Sequence, residues 1–276
     1  HIVVNTVMRA WVRSRNPNAS QRTAELLSYL ESSESVAQPD LMSYNNHIEA
    51  LTLSSKPDAL DSAHSILRSL MNKFSSGRLQ FRPNTYSFNF VVSAWANKNP
   101  RSDHATWNAV RLLRQMMDRR YNTPEPDTFT FNQVLSALSH SRRPDAAKLA
   151  EQLLTTMEDG SAFTRNGRGN VVRRSAKPDV VSYTSVIVAL SRSGSPDAAE
   201  RGEVIMEKSR AANIKPTRTM YNAMITLWGK AGRGTYGARR AEQLLNEMKH
   251  HGIAPNTVSY NTVMDSWSRS GTRCCG

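Results

Sequence analysis

Asparagine returns at one place in this chain: Asn5, Asn45, Asn89, Asn132, Asn222 and Asn261, with Thr184 standing in the same register. A primary amide carries an acceptor oxygen and a two-hydrogen donor in one plane, a combination suited to the edge of a nucleobase. Asparagine is also a poor helix former, so its recurrence inside a helical pattern needs a reason. A second set, Asp40, Asn84, Asp127, Asp179, Thr217 and Asn256, follows a proline each time. These are N-cap residue types worth about 1 kcal/mol each, and capping alone accounts for them. Capping does not account for the amides. Descent of all the copies from one ancestral repeat would preserve them without present use; recognition of a base edge is the reading preferred here.

The elements that must position these side chains follow from the apolar spacing. Immediately before each amide lies an anchor, and apolar residues follow the anchor at +3, +4 and +7. Tyr260 is followed by Val263, Met264 and Trp267, and Tyr221 by Met224, Ile225 and Trp228. Tyr183, Phe131, Phe88 and Val4 repeat the pattern, and Tyr44 does so with His47 as a polar exception. That spacing is one face of an α-helix. A second stripe follows each first one: Ala63/Ile66/Leu67/Leu70, Ala109/Leu112/Leu113/Met116, Ala150/Leu153/Leu154/Met157 and Ala241/Leu244/Leu245/Met248. Thr23/Leu26/Leu27/Leu30 fits more loosely, and Gly202/Ile205/Met206/Ser209 makes the weakest stripe. The unit is helix A, turn, helix B, ended by proline.

The prolines lie from 38 (Pro178 to Pro216) to 52 residues apart (Pro126 to Pro178). The units expected are 1–40, 41–84, 85–127, 128–179, 180–217 and 218–256, with a partial seventh at 257–276. The long insertion from about Glu158 to Lys177, rich in Gly, Ser and Arg, reads as a mobile loop. One such hairpin cannot bury its apolar faces alone, so neighbours must stack. The expected fold is all-α: a right-handed α-solenoid of stacked helix-turn-helix repeats.

Lys and Arg total 36 against 23 Asp and Glu, for a formal charge of +13. That excess suits a polyanionic partner. Nine residues after the anchors stand Arg13, Arg192, Lys230 and Arg269, with His140 in the same place. Near the far end of helix A they are candidates for phosphate contacts, or simply a solvated basic face. There is no apolar run long enough for a membrane span. The two cysteines, Cys274 and Cys275, are adjacent and form no metal-binding spacing. No H-x-E accompanied by a C-x-x-C, no Walker A ending and no metal-spaced acidic cluster occurs, so neither an enzyme nor a cofactor nor a small-molecule substrate is expected. The chain opens inside a periodic segment with no targeting peptide and reads as a fragment.

The segments VVSYTSVIVALSRSG with NIKP, and TRTMYNAMITLWGKAG with AEQLLNEMKHHGIAPN, resemble the pentatricopeptide repeat. The likeness covers six full repeats and the first helix of a seventh. A tetratricopeptide array, the nearest competitor, would not repeat an aromatic-Asn after Pro-Asp. The resemblance implies binding of single-stranded RNA, one base per repeat, mostly in mitochondria or plastids, with room for protein partners in RNA processing.

It further implies that each base is recognised by a pair: Asn5 with Asp40, Asn45 with Asn84, Asn89 with Asp127, Asn132 with Asp179, Thr184 with Thr217, and Asn222 with Asn256. Under the family rule Asn–Asp prefers uridine and Asn–Asn cytidine, while Thr–Thr falls outside the regular pairs. Ile2, Met42, Tyr86, Phe129, Val181, Thr219 and Val258, three residues before each reader, are implied to stack on bases; ordinary inter-repeat core is the alternative for them. The repeats are longer than the family norm, Val4 replaces an aromatic anchor, and Gly202 is expected to weaken the fifth unit. A helical scaffold that binds protein and has lost the code is the competing function.

Overall fold

The computed structural model describes residues 1–32, 37–98, 102–159, 176–231 and 234–271. Most of the insertion expected at 158–177 lies outside these residues, as do Cys274 and Cys275. Among the described residues there are thirteen α-helices, one 3₁₀ turn at Arg119–Tyr121, and no strand.

The A helices are α1 (Ile2–Ser14), α3 (Leu41–Leu53), α5 (Thr85–Lys98), α7 (Thr128–His140), α9 (Val180–Ser193), α11 (Arg218–Lys230) and α13 (Thr257–Gly271). The B helices between them are α2 (Ala19–Glu31), α4 (Ala59–Ser75), α6 (Asp103–Met117), α8 (Ala146–Asp159), α10 (Ala198–Ala211) and α12 (Thr235–His250). From α3 onward, each A helix starts directly after its post-proline residue, which caps it. Asp40 accepts from the Ser43 N–H at 2.9 Å, Asn84 from Ser87 at 3.0 Å, Asp127 from Thr130 at 2.8 Å, Asp179 from Ser182 at 3.0 Å, Thr217 from Met220 at 3.3 Å and Asn256 from Ser259 at 3.1 Å. Proline cannot continue the preceding segment and the cap nucleates the next, so the Pro–Asp/Asn/Thr step sets every A-helix boundary.

The chain forms two compact units, His1–Pro100 with His104–Val134, and Arg101–Asp103 with Leu135–Gly276. In the first, α1 packs on α3 and α3 on α5, while α2 and α4 each touch both the A helix before and the A helix after. In the second, α9 packs on α11 and α11 on α13, with α10 and α12 bridging in the same way. Each unit is thus a stack of helical hairpins, the architecture of a helical-repeat solenoid. The expected stripes form its core: Phe88, Val91, Val92 and Trp95, or Tyr221, Met224, Ile225 and Trp228, are buried. On α13, by contrast, Tyr260, Met264 and Trp267 are exposed.

Two positions differ from the simple pattern. Gly202 does not loosen its repeat. A Cβ there would come within 2.7 Å of Leu227 Cδ1 and 2.9 Å of Met224 Sδ, so the missing side chain is what lets α10 lie against α11. Ser209, the other weak member of that stripe, is fully buried and donates to the Met206 carbonyl at 2.8 Å. His47, the polar exception on α3, is buried with Nδ1 2.9 Å from Thr23 Oγ1 of α2. The polar residue of the α2 stripe therefore meets the polar residue of the α3 stripe, and each satisfies the other.

Burial lowers the His47 pKa to about 4 from its ordinary 6.5. Between those values the unfolded chain holds a proton that the folded chain does not, so stability falls as pH drops through this window. At pH 5 the loss from this residue is about 2 kcal/mol. Urea unfolding of the native chain and of His47→Gln at pH 7 and pH 5 should show a shallower pH dependence in the variant. Equal pH dependence in the two proteins would refute this assignment.

Candidate nucleic-acid interface

The seven A helices carry the expected reader column, and in four copies the structure shows what holds it. The hydroxyl of the third residue of one A helix donates to the amide oxygen of the reader on the preceding A helix. Ser43 Oγ reaches Asn5 Oδ1 at 2.7 Å, Ser87 reaches Asn45 at 2.7 Å, Thr130 reaches Asn89 at 2.6 Å and Ser259 reaches Asn222 at 2.7 Å. The same oxygen accepts the backbone N–H of the capping residue, at 3.1–3.2 Å in all four. Because the hydroxyl receives that N–H, its own hydrogen is directed to the acceptors around it, and the amide oxygen is the nearest of them.

The amide nitrogen then turns toward the capping side chain. Asn5 Nδ2 donates to the two Asp40 carboxylate oxygens at 3.0 and 3.2 Å, Asn89 Nδ2 to those of Asp127 at 3.3 Å each, and Asn222 Nδ2 to Asn256 Oδ1 at 3.4 Å. Asn45 and Asn84 are brought together through Ser87, which lies 2.7 Å from one and 3.1 Å from the other. An amide with one donor and one lone pair so engaged keeps one N–H and one lone pair for a ligand. Asn5 and Asn132 are buried, whereas Asn45, Asn89 and Asn222 are part-exposed and Asn261 is exposed. Asp179 caps α9 in a full capping box with Ser182.

Thr184 and Thr217 are not joined in this way. Thr184 Oγ1 donates back to the Val180 carbonyl at 2.6 Å, and Thr217 accepts from the Met220 N–H. Met220 occupies the place where five other A helices carry Ser or Thr, and it is fully buried. The one reader that is not an amide is thus followed, on the next A helix, by a third-position residue that is not a hydroxyl.

The residues three before the readers are surface groups rather than core. Ile2, Met42, Tyr86, Phe129, Val181 and Val258 are 47–73% exposed, and Thr219 is exposed. They flank the pairs. A cleft of about 700 Å³ in the first unit contains Asn89 and Asp127 together with Tyr86 and Phe129. A second, of about 570 Å³, contains Asn45 and Asn84 with Met42 and Tyr86. Tyr86 serves both, its ring set edge-on to Phe90 at 4.9 Å.

The charges around these clefts are mixed. Burial would raise the Asp40 pKa, but the N–H and hydroxyl of Ser43 and the Asn5 amide outweigh it and hold the carboxylate below its usual range. Glu49, common to both clefts, has its pKa raised by burial against the pull of Arg9 and Arg13. Arg13 lines the second cleft. Arg192 and Lys230 also cap the preceding A helix, donating to the Ser139 carbonyl at 2.9 Å and the Ser191 carbonyl at 3.5 Å; Lys98 does the same to Ser54 at 3.0 Å. Cations at helix C-termini are favoured by the helix dipole. Arg269 pairs with Asp265 at 2.6 Å, and the His140 ring nitrogen lies 2.9 Å from the Ser136 carbonyl.

The family model for the pentatricopeptide repeat domain matches residues 169–231, and that for the PPR repeat family matches 216–269. Residues 169–269 thus carry pentatricopeptide repeats. A pentatricopeptide repeat-containing protein of Arabidopsis thaliana is 35% identical over 80 residues, covering 26% of this chain and 13% of the relative. The fold is similar to the crystal structure of the pentatricopeptide repeat protein PPR10 from maize, with TM-score 0.57 and 17% identity over 97% of this chain and 36% of that one. It is also similar to the PPR domain of Arabidopsis thaliana protein-only RNase P 1, with TM-score 0.55 and 13% identity over 80% of this chain and 96% of that domain. The chain therefore spans only a small part of the curated relative and about a third of the maize protein.

Within this pentatricopeptide array the hydroxyl column was not singled out from the sequence, although Ser43, Ser87, Thr130, Ser182 and Ser259 each directly precede an anchor and complete a capping pattern with the post-proline residue. Glu49 had no such signal, being acidic at a position without a repeated type. Ser87→Ala removes a cap partner and the hydrogen bond to Asn45 at once. It should lower the unfolding free energy by about 1–2 kcal/mol, whereas Met220→Ser, which opens a buried site without an amide partner, gains no such bond. Guanidinium unfolding of both variants tests this; an unaltered midpoint for Ser87→Ala would refute it.

Proposed function

We propose that the chain binds single-stranded RNA along the A-helix face, one base per repeat, with each base held between two exposed side chains and recognised by the interlocked pair between them. The observation that carries this reading is the cleft at Asn89 and Asp127. Tyr86 and Phe129 flank it, and a cleft one repeat earlier has the same layout with Met42 and Tyr86. A protein scaffold has no need of that periodic combination of a flat apolar group and a half-satisfied amide. The fold it shares with the PPR domain of the Arabidopsis RNase P, solved in complex with tRNA, supports the assignment.

By the family rule, the pairs favour U-C-U-U, a base left open at Thr184/Thr217, and then C, from the 5′ end. The role is one of occupancy, shielding or remodelling a transcript, and assigns no catalytic step to these residues. The transcripts are those of a mitochondrion or plastid, following the family resemblance.

Fluorescence anisotropy with 5′-UCUUACU-3′, its purine-substituted counterpart and the matching DNA tests the reading. The first RNA should bind at least tenfold more tightly than either competitor. If six phosphates are neutralised, the logarithmic salt slope is about −4. Tyr86→Ala should weaken binding about ten- to a hundredfold, since stacking contributes about 1–3 kcal/mol per base. Asp127→Asn should move the preference at the third base from U toward C. Equal, weak binding of all three oligonucleotides would leave a protein-binding scaffold as the better description.

A further inference from the structure

The B-helix side of the two units differs in a regular way. In the second unit, ion pairs link each B helix to the next at two registers. The residue before the buried stripe pairs with the residue just after the start of the preceding stripe. Arg201 Nε donates to Glu151 at 3.0 Å, and Arg240 Nε to Glu203 at 2.8 Å. One to two turns further on, Lys208 meets Glu158 at 2.7 Å and Arg210 meets Glu247 at 3.2 Å. The B-helix surfaces of α8, α10 and α12 are thereby neutralised and tied together.

Among the described residues, no such pair is seen between α4 and α6 of the first unit. The first register holds His64 and Asn108, and the second Met71 and Gln115. Between the two helices lies a cleft of about 410 Å³, within the range of small-ligand sites. Arg68, Arg111 and Arg114 line it. In the second unit the residues in those three registers are Thr155, Val204 and Glu207 for α8–α10, and Glu207, Gln243 and Asn246 for α10–α12, all neutral or acidic. Among the described residues, neither Arg68 nor Arg111 is in an ion pair. Arg114 lies over the Trp107 ring at 5.4 Å. Asp118, the carboxylate of the cleft, is held by Arg120 at 2.6 Å. Burial, and then the positive charge of Arg111, reinforced by Arg68, holds the half-buried His64 below its ordinary pKa.

We infer that the cleft between α4 and α6 is a phosphate-binding site on the B-helix side, separate from the amide clefts, with which it shares no residue. Two unpaired guanidinium groups facing one cleft repel each other until an anion enters. Their fork geometry matches phosphate oxygens bidentately. A carboxylate, with one charge, would leave the three arginines under-compensated, whereas a phosphate with up to two charges comes closer. Leu67, Met71 and Phe88 give the floor an apolar surface on which the organic body of a phosphate ester can rest. The phosphate comes either from a free organic phosphate or from the backbone of an RNA longer than the A-helix face holds. The inference does not depend on base recognition by the asparagines.

The test is isothermal titration of the full chain with inorganic pyrophosphate, beside the double variant Arg68→Gln/Arg111→Gln. Binding that falls at least tenfold in the variant is the expected result. The variant should unfold at the same temperature as the parent or higher, because a like-charge contact has been removed. Arg68→Lys/Arg111→Lys, which keeps the charge and loses the fork, should bind at an intermediate level and serves if the first variant folds poorly. Absence of pyrophosphate binding by the parent, or equal binding by parent and variant, would overturn the site. Anisotropy with 7- and 21-nucleotide RNAs separates the sources. Weaker binding of only the longer RNA by the variant identifies backbone phosphate. Unchanged binding of both RNAs, with pyrophosphate binding lost, identifies a free organic phosphate.

Discussion

A serine or threonine hydroxyl between two A helices sets the terms for the rest of this molecule. In Ser43, Ser87, Thr130 and Ser259 one oxygen accepts the backbone N–H of the capping residue and donates across to the amide of the preceding repeat. The same few atoms therefore start a helix, fasten it to its neighbour and choose which way the amide plane points. A buried hydrogen-bond group of this kind is costly to leave half-made, so the three members change together. Thr184 and Met220 show this: where the amide is lost on one A helix, the hydroxyl is lost on the next, and a buried methionine stands in its register.

That coupling joins stability to recognition. The amide presented to a ligand is already held on two sides, and its orientation is paid in advance by the fold. The exposed side chains that flank it have little to do with holding the helices together, which leaves them available for a planar ligand. Tyr86 stands between two successive clefts and contributes to both. Recognition along the face is then a repeated geometry rather than a single built pocket.

The opposite side of the hairpins follows a different logic. In the second unit alternating charges tie α8, α10 and α12 together, at sites partly shielded from water, where ion pairs retain more of their strength than on an open surface. In the first unit those registers are uncharged, and the arginines sit instead at registers that face the cleft between α4 and α6. Repeats of one descent have thus been put to different electrostatic use without altering the helices that carry them.

Much of this was legible in the chain itself. The 0, 3, 4, 7 spacing marks the buried face of a helix because side chains at those positions lie above one another, and the step from proline to a capping residue marks each boundary because both residues act on their own backbone. These are local constraints, and sequence determines them: helix type, order and limits, the repeat, and the columns of Asn and Asp/Asn. What lay between repeats was decided only by tertiary structure. The fastening role of Ser87, the mutual satisfaction of His47 and Thr23, and the close approach permitted by Gly202 all involve partners some 22 to 42 residues apart. Arg192 and Lys230 show the same limit, since their spacing marks a basic column but not the carbonyls they reach. Periodicity tells which residues share a face; only the packing of one helix on the next tells what that face meets, because contact depends on distance in space and not on distance along the chain.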